Sequence, residues 1–188
     1  AYLTCFAACL FGCATVYNGT WFSLHPMAMM IAFFGIMGPS MKFVSTPNKT
    51  RRWLHGCGQV LAILSVLFGF YVIFTRKIEL GKSHFTTIHS WGGLVTIASV
   101  VLALGGIYVM FPGRSAKELM LNKLTHGFFG RTVLTLGLTS INGGFYEKYG
   151  DDSMLTVVLP IAIASSVIFF LVIVAPAMKM YKEKFKSN

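Results

Sequence analysis

Residues 51–77 read RRWLHGCGQVLAILSVLFGFYVIFTRK. Two basic pairs, Arg51-Arg52 and Arg76-Lys77, bracket a stretch from Trp53 to Thr75 that carries no charged residue. An apolar run of about 18 residues or more is long enough to cross a bilayer as a helix. A helix is also the form that satisfies its own backbone hydrogen bonds in lipid. His55 stands in the first turn of this run. The stretch therefore raises two questions: how many such runs the chain holds, and what a histidine does inside one.

Outward from 53–75, five more runs follow the same pattern, over about 1–17, 21–44, 86–111, 124–146 and 154–178. Short connections carry the turn and charge signals, for example Asn18-Gly19-Thr20 and Arg76 to Ser83. The first run has no basic flank before it, so it reads as a first helix and not as a signal peptide. Residue 1 is Ala, which points to a processed or incomplete start. The expected fold class is an all-α integral membrane protein with six transmembrane helices, residues 1–188 forming a single transmembrane domain. Composition agrees. Of 188 residues 55% are hydrophobic and 12% charged, and mean hydropathy is +0.67, which leaves no length for a separate soluble domain.

The net charge of +10 could be mistaken for a nucleic-acid footprint. The basic residues sit in short connections between apolar runs, where anionic lipid headgroups explain them, so nucleic acid is excluded as a partner. Their distribution orients the chain. Lys42, Lys49, Arg51 and Arg52, then Arg114, Lys117 and Lys123, then Lys179, Lys182, Lys184 and Lys186 lie on one side, eleven in all. Arg76, Lys77, Lys82 and Lys148 lie on the other, and Arg131 falls within a span. Eleven against four puts both termini on the cytoplasmic side, or the matrix side of a mitochondrial inner membrane. The sequons at Asn18 and Asn48 then face opposite sides, so only Asn18 is open to glycosylation. Cys5, Cys9 and Cys13 share a helix face as small packing residues. With Cys57 in another span and no C-x-x-C pair, neither a zinc site nor a redox dithiol is indicated.

Of five histidines, four fall within the first turns of spans two to five: His25, His55, His89 and His126. Spans two and four start from the outer side, spans three and five from the inner side. The histidines therefore sort by membrane face into His25 with His89 and His55 with His126. An ionisable group inside lipid is costly and marks function by default. Haem iron takes two axial imidazoles from opposite faces of the porphyrin, and bundle cores house such cofactors. Zinc or copper sites gather more ligands in one place. The expectation is two haems b, with glycines beside the histidines (Gly56, Gly92, Gly93, Gly127, Gly130) leaving room for a flat ring. With a core of about 30 Å and each histidine about 6 Å inside it, the two layers lie about 18 Å apart, a relay from one aqueous face to the other.

The segments Trp21-Phe22-Ser23-Leu24-His25-Pro26, Arg52-Trp53-Leu54-His55, His84 to Trp91 (HFTTIHSW) and His126-Gly127-Phe128-Phe129-Gly130 resemble the eukaryotic cytochrome b561 family. The run Leu80-Gly81-Lys82-Ser83-His84 most resembles its cytochrome b561 domain-containing branch. The resemblance covers spans two to five closely and the outer two loosely. It implies a four-helix haem-binding bundle of helices two to five, with His25 and His89 on one haem iron and His55 and His126 on the other. It also implies a transmembrane oxidoreductase that takes electrons from cytosolic-side ascorbate and reduces monodehydroascorbate or a ferric chelate opposite. An endomembrane or vesicle membrane is the expected location, and family members are often homodimers.

Substrate residues carry over less closely. Arg52, three before His55, matches the family's basic residue for the ascorbate anion. Lys49 and Lys123 are near that mouth but off the family's positions. Lys82 and His84 sit just outside His89, placed to receive an anionic acceptor, with His84 able to pass a proton. Two other readings compete: a haem-bearing accessory subunit of a larger respiratory or photosynthetic complex, and a quinone-linked cytochrome b. The second expects four core helices, not six. A channel or transporter fits poorly, because no span carries an acidic residue in its middle.

Overall fold

The computed structural model describes residues 2–45, 49–103, 116–150, 154–174 and 178. Among these residues it is all-helical, with no strand. Six helices follow in order: α1 (Tyr2–Val16), α2 (residues 21–45), α3 (Lys49–Glu79), α4 (Ile88–Ala103), α5 (Ala116–Tyr149) and α6 (residues 154–174). Each lies on one of the expected runs. The ends differ: α3 and α5 extend beyond theirs, so Lys49, Arg51 and Arg52 lie on the first turn of α3 and not in a loop. The expected end of the fourth span (104–111) and the sequon at Asn48 fall outside the described residues.

The molecule inverts the habit of a soluble protein. On α3 the exposed side chains include Val60, Leu61, Leu64, Leu67, Phe68 and Tyr71. A soluble helix presents a polar face to solvent; this apolar outer face fits a hydrocarbon surround. Residues 21–41 and α3 are long and apolar enough to cross a membrane by length and composition. Inside, Met30, Phe33 and Phe34 of α2 meet Leu134 and Leu138 of α5, with Val66 of α3 and Ile161 and Ile168 of α6.

Small residues let these helices approach. A Cβ on Gly137 would lie 2.0 Å from the Phe33 ring, and one on Gly12 would lie 2.1 Å from the Met30 methyl. α4 packs along α5 and α2 along α3, while α1 lies against α2 and α6. α2 has a local cause for its irregularity. Pro39 has no N–H and would clash with the Gly35 carbonyl four residues back. The helix widens to π geometry over Ile31–Met37, where the Gly38 N–H donates to Phe33 O, five residues back. The same widening precedes Pro160, over Met154–Val158.

Candidate functional site

His25 of α2 and His89 of α4 stand together, with ring centroids 6.2 Å apart and planes at 75°. His25 Nδ1 lies 2.9 Å from the Gly69 carbonyl of α3. Gly69 permits this, since its backbone nearly touches α2: a Cβ there would lie 3.1 Å from Ala28 Cβ and 3.3 Å from the His25 carbonyl. His89 Nδ1 lies 2.7 Å from the Ser140 carbonyl of α5. The His89 ring rests on Gly144, where a Cβ would come within 2.9 Å of Cε1. The His89 backbone N–H donates to Glu147 Oε1 at 3.3 Å.

His55 of α3 and His126 of α5 repeat the arrangement, centroids 6.1 Å apart and planes at 84°. His55 Nδ1 lies 3.2 Å from the Ser40 carbonyl of α2, and His126 Nδ1 lies 3.1 Å from the Ala103 carbonyl of α4. A carbonyl only accepts, so in all four rings Nδ1 carries the proton and donates. Nε2 is then the nitrogen with a free lone pair, the arrangement in which an imidazole ligates a metal with its other nitrogen held by the protein.

The four helices share one design. Each carries a histidine near one end and, toward the other, the carbonyl that orients a neighbour's histidine. The intervals are fifteen residues on α2 (His25 to Ser40) and fourteen on α3 (His55 to Gly69), α4 (His89 to Ala103) and α5 (His126 to Ser140). At 1.5 Å per residue the two histidine layers lie about 21 Å apart, slightly more than the membrane thickness alone predicts. The orienting bonds are reciprocal within α2–α3 and within α4–α5. The facing rings come from different hairpins, so each pair bridges the two halves.

These pairs suit a haem iron. Two Fe–N bonds of about 2 Å and the half-widths of two imidazoles separate bis-ligated ring centroids by about 6 Å. Among the described residues no group of three or more His, Cys, Asp or Glu side chains gathers to hold a bare metal ion. A Cβ added at Gly56, Gly127 or Gly130 would meet nothing within 4 Å, so the helix faces beside His55 and His126 are open. Gly92 and Gly93 are looser neighbours of Ser140, at 3.7–3.8 Å.

Other candidates are less gathered. Lys49 and Arg52 are exposed at the His55 end of α3. The backbone of Lys123 lies on α5, while its side chain is outside the described part. Lys82 is exposed in the α3–α4 connection, at the His89 end. His84 stacks on Phe74, with centroids 4.5 Å apart, and faces no second histidine. The next residue, Phe85, has a φ of 54°, unusual for a bulky side chain. Sequence reasoning missed the four carbonyls, the Gly144 cradle and the bond from His89 to Glu147. The only trace of the carbonyls in the sequence is the near-equal interval after each histidine.

A family model described as eukaryotic cytochrome b561 matches residues 24–150, which hold all four paired histidines. The human transmembrane ascorbate-dependent reductase CYB561 is 25% identical over 160 residues, covering 76% of this chain and 64% of that protein. The mouse transmembrane reductase CYB561D2 is 30% identical over 138 residues, covering 68% of this chain and 62% of its own length. Human CYB561D2 is 28% identical over 170 residues, covering 85% and 77%. The chain thus spans slightly less than two thirds of the first two relatives. By the extent of the family match and the identity to the mouse protein, the chain belongs to the eukaryotic cytochrome b561 family.

Proposed function

We propose that the chain crosses the membrane six times, that helices α2–α5 form a bundle holding two b haems, and that it carries electrons from ascorbate on the cytoplasmic side to monodehydroascorbate or a ferric chelate on the other. The observation that carries this reading is the pair of two-histidine sites, every ring held through Nδ1 by a backbone carbonyl. Family membership supports haem b as the cofactor, and the relatives' names support ascorbate as donor. When bound, a b haem supplies a one-electron carrier at each end.

The chain's own residues supply the rest. His25 and His89 would hold the outer group, His55 and His126 the inner. The carbonyls of Gly69, Ser140, Ser40 and Ala103 fix tautomer and ring plane before the cofactor arrives, which limits reorganisation on electron transfer. Lys49 and Arg52, exposed beside the inner pair, raise the local concentration of an anionic donor. Lys82 and His84 flank the outer pair and would receive an anionic acceptor.

The test is a reduced-minus-oxidised spectrum of the purified protein with ascorbate as reductant, joined to a pyridine haemochrome count. Two b haems per chain, rapidly reduced, are expected. Two haems that ascorbate leaves oxidised would favour an accessory subunit, and a haem-free protein would overturn the assignment of the histidines.

A further inference from the structure

Gln59 lies one turn beyond His55 on α3, inside the apolar run, a costly place for a primary amide. Its Nε2 donates to Ser40 Oγ at 2.6 Å. Ser40 is 3% exposed. Its hydroxyl donates in turn to the Met37 carbonyl at 3.0 Å, and its own carbonyl accepts the His55 Nδ1–H. One residue of α2 thus joins two contacts from α3. Ser40 also sits directly after Pro39, where the helix is least able to hold itself by its own ladder. The approach is tight: a Cβ on Gly58 would lie 2.8 Å from Ser40 Cβ. Among the described residues, Gly69, Ser140 and Ala103, whose carbonyls orient His25, His89 and His126, show no bond to a side-chain amide like that of Gln59 to Ser40.

We propose that Gln59 is a positioning residue for the inner haem ligand, clamping Ser40 so that its carbonyl holds the His55 ring, and that it thereby tunes one redox centre and not the other. The inference rests on the reading of the histidine pairs as haem ligands. Hydrogen bonding from Nδ1 makes a ligating imidazole a stronger donor, and such outer bonds are a lever on haem potential. A strong donor favours the ferric form. Releasing the clamp lengthens the Nδ1 bond, weakens that preference and raises the inner midpoint potential.

The experiment is a redox titration with low-temperature electron paramagnetic resonance on the intact protein and on Gln59→Met, Ser40→Ala and the double variant. The inner centre is identified as the one lost in His126→Ala. Expected are a shifted low-spin signal and a raised potential at the inner centre alone, on the order of fivefold in its oxidised-to-reduced equilibrium, the worth of one neutral hydrogen bond. The outer centre serves as the internal reference. The double variant should shift the inner centre no further than Ser40→Ala alone, because Gln59 acts through the Ser40 hydroxyl. Loss of the inner haem alone is the stronger form of the same result. An inner centre unchanged in both single variants, or shifts of equal size at both centres, would overturn the inference. If Gln59→Met does not accumulate, Ser40→Ala carries the test. A wild-type protein without haem would instead overturn the underlying ligand reading.

Discussion

A histidine inside a membrane span is costly unless both ring nitrogens find a role. In this chain Nδ1 of each paired histidine is satisfied by a carbonyl, which leaves Nε2 as the one atom the protein has not used. Replacing His25 or His89 with Ala should therefore remove one haem and spare the other, as counted by haemochrome; an unchanged spectrum in either variant would sink the pairing. The glycines divide by environment. Gly137→Ala drives a methyl into the Phe33 ring and should destabilise the protein by about 1–3 kcal/mol, as overpacking does. Gly130→Ala meets nothing and should leave the melting temperature of the haem-free protein unchanged or slightly raised, while haem content at the inner site falls. A full haem count in Gly130→Ala would mean that this face borders lipid and not the cofactor.

Among the elements, register is what matters. Each of α2–α5 serves both layers, so its histidine and its carbonyl must keep their spacing and their angle. One Ala inserted after Leu64 rotates the far half of α3 by about 100° and moves it 1.5 Å. Gly69 and His55 then can no longer both face α2. One haem of two should be lost; the same insertion within α1, which carries no histidine, should cost none. Two haems retained in the α3 insertion would show that the carbonyl is dispensable. The π turn before Pro39 belongs to this scale as well, since it sets where Ser40 ends up relative to His55.

At the scale of the whole molecule, the two ends differ in charge. Lys49, Arg51 and Arg52 stand exposed by the His55–His126 pair, whereas at the other end Arg76 pairs with Glu79 and Glu147 reaches the His89 backbone, offsetting part of the charge of Arg76, Lys77, Lys82 and Lys148. An anionic donor should be drawn to that end, and salt should weaken the attraction, because charges are screened beyond about 10 Å at 0.1 M. Arg52→Ala should slow reduction by ascorbate several-fold in stopped-flow at low salt, with haem content unchanged and the difference shrinking as salt is added. An unchanged rate would remove Arg52 from the donor site. Each histidine pair also spans the two hairpins α2–α3 and α4–α5, so a bound cofactor would add a further tie between them.

The sequence by itself determined the helical class, the approximate helices, and the sorting of four histidines into two layers. Those features follow from run length, charge counts and position along single helices, which are local or additive. It also carried the family resemblance, through short segments around each histidine. Only the tertiary structure decided which carbonyl holds which ring, that Gly144 cradles His89, that Gln59 reaches Ser40, and which glycines are open and which are pressed against a neighbour. These depend on the rotation and close approach of helices far apart in the chain, and apolar composition, which is much the same all round a membrane helix, does not encode that rotation.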